Sequence, residues 1–187
     1  YAYGLAGILN ARDYKIRGVV NGIDVDVFNP ATDKNLVANY TLKTVAKRTE
    51  NKKALCELMG FNYSPDRPLM VLISRLTEQK GIDLVATVLD EMLQADIQLV
   101  VLGKGDWKYE TILKNAEKTY NTKMRAIINF SQELASKLYG AADMFLMPSK
   151  FEPCGLGQMI AMRYGAVPIV RETGGLKDTV EAFNPVT

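Results

Sequence analysis

The chain has 187 residues, 48% of them hydrophobic and 24% charged, which is enough for one domain with a sizeable core. Its net charge of +2 and its scattered lysines do not indicate a nucleic-acid surface, and its apolar runs are too short to span a bilayer. The sequence contains no histidine, which excludes histidine-based acid–base and zinc chemistry from this chain.

The first third of the chain carries weak structural signals. Residues 1–13 predict a loop with a short helical turn, and residues 17–20 predict a short β-branched strand. An Asn-Gly turn signal and a loop over residues 24–33 follow. Residues 36–60 carry a long helical pattern that ends at a glycine.

From residue 69 onward, apolar strands alternate with helices. Strands are predicted at residues 69–74, 97–103, 124–130, 142–147 and 167–170, and helices at residues 81–94, 107–121, 131–142, 156–164 and 176–180. The strand at residues 69–74 is an apolar run without alternation, which is typical of a strand buried on both faces. Helices between such strands predict βαβ units with right-handed crossovers. The expected fold class is therefore α/β, a Rossmann-like, doubly wound parallel sheet.

Both ends of the sequence suggest a piece of a longer protein. The chain opens at Tyr1, without a methionine and without the charged start of a signal peptide. It closes at Thr187, soon after the last predicted helix begins. The presence of only two cysteines, Cys56 and Cys154, indicates a reducing compartment, and we expect a cytoplasmic protein.

The loops after the strands carry the candidate site residues, because ligands of open α/β sheets bind beyond the carboxyl ends of the strands. After the first strand, Arg75 and Lys80 flank a loop that enters a helix, which predicts an anion site. The alternative is that Arg75 pairs with Glu78 or Asp83 and that Lys80 is solvated.

The next two loops give weaker signals. Residues 103–105 form a Gly-x-Gly sequence, for which a tight turn between strand and helix is the simpler explanation. Phe130 follows the third strand, where its ring either packs in the core or stacks on a nucleobase.

The loop after the fourth strand contains an acid and the start of a helix. Glu152 is either solvated or functional, and its neighbours are not typical of a solvated loop. The N–H groups of Gly155 and Leu156, at the start of the helix, are placed to face a phosphate. Cys154 by itself indicates a small packed residue rather than a nucleophile.

In the last loop, either Thr173 caps the following helix, or Gly174 and the next glycine allow a ligand or backbone to approach closely. Taken together, the loops place cations, an acid and an aromatic ring along one edge of one sheet. That set predicts a ligand with both a phosphate and a base.

Three segments, SRLTEQKGIDL, PSKFEPCGLGQMIAMRYG and IVRETGGLKDTV, resemble the bacterial glycogen synthase and plant starch synthase family. Members are retaining glycosyltransferases of the GT-B type, with two Rossmann-like domains. The stretch GVVNGIDVDVFNPATD is similar to the interdomain linker of that family, so the resemblance covers essentially the whole chain. It implies that residues 1–25 are a linker remnant. It also implies that residues 26–187 are the C-terminal nucleotide-sugar-binding domain, truncated at its C-terminus and lacking its N-terminal partner domain.

The resemblance also implies the reaction and the roles of individual residues. The family transfers glucose from ADP-glucose to the non-reducing end of an α-1,4-glucan, without a cofactor or a metal. Arg75 and Lys80 match the pair that clamps the donor's diphosphate and stabilises the leaving nucleotide, and Glu152 matches the acid that touches the transferred glucose. The other implied donor-binding residues are Phe130 at the base, Cys154, Gly155 and Leu156 around the sugar and distal phosphate, and Thr173 and Gly174 beside the donor.

The expected partners are a nucleotide sugar and an α-glucan acceptor, with neither a nucleic acid nor a membrane. Many related retaining transferases carry a second Glu in an E-x7-E motif, but this chain has Ile160 at that position. We expect the chain alone to bind nucleotide without catalysing transfer. Two alternatives remain: a nucleotide-binding module of another retaining glycosyltransferase, and a nucleotide-sugar isomerase that uses a UDP-sugar.

Overall fold

The computed structural model describes residues 3–185 and contains a five-stranded parallel sheet. The strands are β1 (Leu69–Ile73), β2 (Gln98–Leu102), β3 (Met124–Ile127), β4 (Met144–Met147) and β5 (Val167–Val170). Their order in the sheet is β3-β2-β1-β4-β5. The chain therefore builds outward from β1 through β2 and β3, and then continues on the other side of β1 through β4 and β5. The crevice between β1 and β4 is the topological switch point, where sheets of this class bind ligands.

Residues 3–185 contain seven α-helices and three short 3₁₀ helices. The α-helices are α1 (Ala6–Asn10), α2 (Arg48–Met59), α3 (Ile82–Gln94), α4 (Trp107–Thr119), α5 (Gln132–Ala141), α6 (Gly157–Arg163) and α7 (Gly174–Thr179). The 3₁₀ helices are Asp13–Lys15, Leu42–Lys47 and Glu78–Lys80. Tyr1 and Ala2 of the predicted first loop, and Val186 and Thr187 at the end of the predicted domain, lie outside the described residues.

The sheet separates two apolar layers. Alternate residues of β1 point to opposite faces, so Val71 packs in one layer and Leu72 in the other. The layer around Val71 includes apolar residues of α2, α5 and α6, such as Leu138. The layer around Leu72 includes apolar residues of α3 and α4, such as Leu89. Helices on both faces of a parallel sheet confirm the predicted Rossmann-like, doubly wound α/β fold.

The central strands are buried as predicted, whereas β5 is not. Every residue of β2 is buried, but Val167 of β5 is 63% exposed. β5 lies at the edge of the sheet, and in residues 3–185 no helix covers the face that presents Val167 and Ile169. The expectation that residues 167–170 form a buried strand is therefore wrong for the described part of the chain.

Two predictions about the first third of the chain are also wrong. Residues 17–20 are irregular, and their β-branched side chains gain little from packing within residues 3–185, since Val19 is 91% and Val20 47% exposed. The predicted helix over residues 36–60 begins only at Arg48, where α2 starts. The side chain of Asn51 accepts hydrogen bonds from the N–H groups of Val37 (3.0 Å) and Ala38 (3.2 Å), and these bonds hold residues 37 and 38 outside the helix.

The boundaries after residue 69 agree with the predictions to within a few residues. Ser131 caps α5 as expected, since its hydroxyl accepts a hydrogen bond from the N–H of Leu134 (3.2 Å). β3 ends at Ile127 rather than at residue 130. Phe130 consequently lies in a loop at the carboxyl edge of the sheet.

Candidate functional site

The candidate site lies at the carboxyl edge of the sheet, and its centre is an ion pair across the switch point. Lys80 comes from the loop after β1, and Glu152 comes from the loop after the neighbouring β4. Their Nζ and Oε2 atoms are 2.5 Å apart. Glu152 is only 7% exposed, and its Oε2 also accepts a hydrogen bond from the buried hydroxyl of Ser149 (3.1 Å). Glu152 is therefore a buried carboxylate, and the prediction that it or Lys80 is solvated is wrong.

Local backbone geometry places Lys80 beside β4. Lys80 ends a short 3₁₀ helix, after which Gly81 turns the chain at φ +72° into α3. A Cβ on Gly81 would lie 2.1 Å from the carbonyl oxygen of Pro148, at the end of β4. Glycine is needed at this position for the conformation and for the close approach of the two backbones. The two loops that carry Lys80 and Glu152 are thus held in direct contact.

Lys150 also connects these two segments, through one backbone hydrogen bond and two ion pairs. Its N–H donates to the carbonyl of Gln79 (2.9 Å), and its Nζ lies 2.9 Å from a carboxylate oxygen of Glu78 and 2.5 Å from one of Asp83. Burial raises the pKa of Asp83, but the hydrogen bond and charge of Lys150 outweigh it and bring that pKa below its ordinary value. The hydrogen bonds to both acids in turn raise the pKa of Lys150.

Arg75 is exposed and forms no ion pair within residues 3–185. The alternative in which Arg75 pairs with Glu78 or Asp83 is therefore wrong, because Lys150 pairs with both of those acids. An unpaired guanidinium at the end of a central strand is available to an anionic ligand.

Arg75 and Phe130 line one cleft of about 310 Å³ beyond the carboxyl ends of β1 and β2. Phe130 is 83% exposed, so the alternative in which its ring packs in the core is wrong. Lys104, from the Gly-x-Gly turn after β2, lines the same cleft. The turn fits closely against the loop after β1, since a Cβ on Gly103 would lie 1.9 Å from the carbonyl oxygen of Ser74. The cleft thus combines an exposed ring, two cations and a rigid wall.

The loop around Glu152 is anchored to the start of α7. The N–H of Gly175 donates to the carbonyl of Glu152 (2.9 Å). A Cβ on Gly174 would lie 2.2 Å from that same carbonyl oxygen, so the two glycines allow backbone to approach backbone. Thr173 precedes α7, but its side chain makes no capping hydrogen bond, and the prediction of a Thr173 cap is wrong.

The remaining predicted site residues flank Glu152. Cys154 is half-buried, with its Sγ 3.5 Å from the carbonyl oxygen of Gly155, which is consistent with a small packed residue. Leu156 is exposed immediately before α6. The structure therefore brings Lys80, Glu152 and residues 154–156 together beside Gly174, and it places Arg75 and Phe130 in the adjoining cleft.

Sequence reasoning missed four side chains that shape the site: Ser149, Lys150, Gln158 and Lys104. Ser149 and Gln158 are polar residues within an apolar strand–loop–helix segment, and both are fully buried. That polarity was the available signal, since a buried polar side chain requires a partner. Lys150 and Lys104 carry no such signal, because a loop lysine is most often solvated.

In residues 3–185 no group of three or more acidic or cysteine side chains could hold a metal ion. In the same range, no helix has the length and apolarity needed to cross a membrane. The chemistry that the arrangement offers is electrostatic: two unpaired cations and an exposed ring beside a buried carboxylate–ammonium pair.

Comparisons with known proteins show the family to which the chain belongs. Residues 60–185 match the family model of glycosyl transferases group 1. A glycogen synthase from Clostridium acetobutylicum is 54% identical over all 187 residues of this chain, which correspond to 39% of that relative. A glycogen synthase from Anoxybacillus flavithermus is 49% identical with the same coverage. The chain thus spans about 39% of the length of these curated relatives.

Among solved structures, the catalytic domain of starch synthase IV from Arabidopsis thaliana, bound to ADP and acarbose, superimposes with a TM-score of 0.91 at 39% identity. The match covers 98% of this chain and 38% of that one. Sucrose-phosphate synthase from Thermosynechococcus elongatus superimposes with a TM-score of 0.63 at 24% identity, over 94% of this chain and 40% of that one. The second likeness supports the fold alone.

Proposed function

The chain belongs to the glycosyl transferases group 1 family, and from this premise we propose that it is the donor-binding domain of an enzyme of the glycogen and starch synthase type. The enzyme would transfer glucose from ADP-glucose to the non-reducing end of an α-1,4-glucan, with retention at the anomeric carbon. The observation that carries the proposal is the Lys80–Glu152 pair at the switch point, next to a cleft that holds Arg75 and Phe130. Similarity to glycogen synthases and to an ADP-bound starch synthase supports it.

The strand order suggests how the donor lies along the edge. Phe130 follows β3, Arg75 and Lys80 follow β1, and Glu152 follows β4. A nucleotide sugar laid along this edge would place its base on Phe130, its diphosphate at Arg75 and Lys80, and its sugar at Glu152. Stacking on an exposed ring suits any base, and paired cations suit a diphosphate.

Arg75 and Lys80 would act on the leaving group. In the transfer, the bond between the anomeric carbon and the diphosphate oxygen breaks, and its electron pair leaves with ADP. A new bond then forms between the anomeric carbon and a hydroxyl oxygen of the glucan, and the hydroxyl proton passes to the departing diphosphate. Negative charge therefore grows on the departing oxygen, and fixed cations stabilise the transition state more than the ground state.

Glu152 would act on the sugar. As the bond to the diphosphate breaks, the glucose ring gains oxocarbenium character, and a nearby carboxylate offsets that positive charge. The hydrogen bond from Ser149 and the ion pair with Lys80 hold this carboxylate in one position. Lys80 would act on the diphosphate, while Glu152, whose Oε2 lies 2.5 Å from the Nζ of Lys80, would act on the sugar.

The proposal includes the arrangement of the whole enzyme. Residues 1–25 would be an interdomain linker and residues 26–187 the donor domain, with the acceptor bound mainly by a domain outside this chain. The two free cysteines favour a reducing, cytoplasmic location.

A competition titration of ADP against UDP tests the donor. The chain is expected to bind ADP more tightly than UDP in calorimetry. Absence of ADP binding to a demonstrably folded chain would contradict the proposal, and a preference for UDP would favour a transferase or isomerase that uses a UDP-sugar.

A transfer assay tests the division of labour between the domains. The 187-residue chain mixed with glycogen and ADP-glucose is expected to extend no glucan, because the acceptor-binding half is lacking. Measurable chain extension by the isolated chain would contradict this part of the proposal.

A further inference from the structure

Gln158 is a buried amide in the wall of the site, and neither the motifs nor the comparisons assign it a role. It is the second residue of α6 and is 0% exposed. Its Nε2 donates to the carbonyl oxygens of Cys154 (3.1 Å) and Gly155 (3.1 Å) and to the hydroxyl of Thr179 (2.9 Å). Its Oε1 is buried without a hydrogen-bond partner among the described residues. An orphaned buried oxygen is costly, so the contacts of the nitrogen must hold this amide in place.

The two carbonyls held by Gln158 determine the direction of two N–H groups. In a trans peptide, the C=O and the N–H of the next residue point in opposite directions. The described residues contain no cis peptide. Because the carbonyls of Cys154 and Gly155 point at the buried amide, the N–H groups of Gly155 and Leu156 must point away from it. Neither N–H donates to an acceptor within residues 3–185.

The fit between Gly155 and Gln158 depends on glycine. Gly155 has φ +75°, a conformation that disfavours other residues, and a Cβ there would lie 2.6 Å from Oε1 of Gln158. The amide therefore occupies the space under Gly155 and supports its peptide from the buried side. A loop peptide supported in this way keeps its N–H groups in one orientation before any ligand arrives.

Gln158 also links this loop to the segment that anchors Glu152. The hydroxyl of Thr179 accepts from Gln158 and donates to the carbonyl of Gly175 (2.6 Å). The N–H of Gly175 in turn donates to the carbonyl of Glu152 (2.9 Å). One hydrogen-bonded network thus connects the loop that carries the two free N–H groups to the backbone carbonyl of Glu152.

We propose that Gln158 is a positioning residue that aims the N–H groups of Gly155 and Leu156 at the distal phosphate of the donor nucleotide. The inference rests on the proposed function, since it specifies how that donor site binds a diphosphate. Two adjacent N–H donors without an internal acceptor suit a phosphate oxygen. The distal phosphate is the relevant one, because it lies next to the sugar and therefore next to the loop that carries Glu152.

The test compares ADP with AMP, which lacks the distal phosphate. Calorimetry of the full-length protein that contains this chain gives both dissociation constants, for the unchanged protein and for Gln158→Met. Methionine has a similar length but cannot donate to the two carbonyls. Affinity for ADP is expected to fall about tenfold, the effect of one charge-assisted hydrogen bond, with affinity for AMP unchanged. A fall of equal size for ADP and AMP, or no change in their ratio, overturns the role of Gln158.

Gln98→Met is the matched control. Gln98 is also 0% exposed and donates from Nε2 to a backbone carbonyl, that of Asn62 (2.9 Å), but it lies at the amino end of β2. Its variant is expected to lose stability while keeping the ratio of ADP to AMP affinity. A shifted ratio in Gln98→Met would show that any buried defect alters the selectivity, and would overturn the inference.

A second variant covers the case in which Gln158→Met does not fold. Thr179→Val removes one of the three acceptors of Gln158 and is expected to shift the ADP to AMP ratio in the same direction by less. An unchanged ratio in folded Thr179→Val, with Gln158→Met unfolded, overturns the inference. If the unchanged protein binds ADP no more tightly than AMP, the proposed donor site itself has failed, and the inference fails with it.

Discussion

Two lysine–carboxylate pairs stand at opposite ends of β1 and β4, and they differ in what surrounds them. At the amino end, Lys52 of α2 lies 2.7 Å from Asp143, which immediately precedes β4. At the carboxyl end, Lys80 lies 2.5 Å from Glu152. The two pairs share their chemistry and both have a poorly exposed lysine, so the contrast lies in their remaining hydrogen bonds.

The pair at the amino end makes further hydrogen bonds to the backbone. Lys52 also donates to the carbonyls of Pro65 (3.3 Å) and Arg67 (2.8 Å), and Asp143 accepts from the N–H of Leu69 (2.8 Å), the first residue of β1. These bonds tie α2 to the beginnings of two central strands. A pair with this many backbone partners contributes to the fold and has little capacity left for a ligand.

The pair at the carboxyl end has fewer internal hydrogen bonds, and exposed side chains lie at the same edge of the sheet. The carboxylate of Glu152 receives one further hydrogen bond, from Ser149, and in the cleft after β1 and β2 Arg75 forms no ion pair within residues 3–185 and Phe130 is exposed. The side chains of the amino-edge pair therefore make three hydrogen bonds to the backbone, whereas those of Lys80 and Glu152 make none within residues 3–185. We therefore propose that the pair at the amino edge stabilises the fold and that the carboxyl edge binds the ligand.

The largest expected effect follows from removing the carboxylate at the binding edge. In the full-length protein, Glu152→Ala is expected to lower kcat by roughly 10²–10³-fold, the range for loss of one electrostatic group at a transition state. Affinity for ADP is expected to change only a few-fold, because ADP carries no sugar. Steady-state kinetics with ADP-glucose and calorimetry with ADP provide the two measurements.

Glu152→Gln is the companion variant, since it keeps the volume and can still accept from Ser149. It is expected to lose kcat as well, because it lacks the negative charge. Equal losses of turnover and ADP affinity would show that Glu152 is mainly a binding or folding residue, and the contrast between the two edges would not hold.

Exchanging the lysines one at a time tests the two edges directly. Lys80→Met is expected to weaken ADP binding about 10- to 100-fold, because a hydrogen bond to a charged group contributes roughly 1.5–3 kcal/mol. Lys52→Met is expected to leave ADP affinity unchanged but to lower the free energy of unfolding by about 2–3 kcal/mol, below the full cost of breaking a buried pair because Asp143 is partly exposed. Urea denaturation and ADP titration of both variants measure these effects.

If both variants changed ADP affinity and stability in the same way, the two edges would not differ in function. If Lys52→Met weakened ADP binding as much as Lys80→Met did, the amino-edge pair would be coupled to the site through β1 and β4. If Lys80→Met only destabilised the chain, the pair at the carboxyl edge would be structural as well.

Much of the fold was predictable because its signals are local. Continuous apolar runs separated by helices specify a parallel sheet, and both layers of the core follow from that pattern. The failures arise where distant contacts override local preference. Asn51 accepts from Val37 and Ala38 and so prevents the helix that their sequence favours. β5 has the composition of a buried strand, yet its burial depends on which elements lie beside it.

The candidate site also has features that the sequence could predict and features that it could not. Arg75, Lys80 and Glu152 could be placed at one edge because each follows a strand of a parallel sheet. The hydrogen bonds from Gln158 to the carbonyls of Cys154 and Gly155 could not be predicted, because they depend on peptide orientations within the loop. Lys150 reaches Glu78 in the loop after β1 and Asp83 in the first turn of α3, which no spacing along the chain reveals.

Phe130 offers a smaller effect that sharpens the contrast between binding and stability. Phe130→Ala is expected to weaken ADP binding about tenfold, within the range for loss of one base–aromatic stack. The melting temperature is expected to stay the same, because the ring is 83% exposed and contributes little to the core. Phe130→Tyr keeps an aromatic face and should bind ADP normally. A lowered melting temperature with unchanged ADP affinity would instead show that the ring stabilises the fold and does not bind ADP.

The smallest expected effect concerns pH and the contacts that hold the two loops of the binding edge together. The pKa of Asp83 lies below its ordinary value because its pair with Lys150 outweighs the opposing effect of burial. A carboxyl with a lowered pKa adds stability when it is ionised in both folded and unfolded states. Its contribution is therefore complete at neutral pH and is lost as the pH falls below about 4. The contribution is small, because both partners are partly solvated. Asp83→Asn should accordingly be less stable than the unchanged chain at pH 7 and equally stable in strong acid. Glu78→Gln, which alters the other acid bound to Lys150, is the control. An equal deficit of Asp83→Asn at both pH values, measured by urea denaturation, would mean that the side chain acts through packing and that this part of the binding edge does not depend on the ion pair.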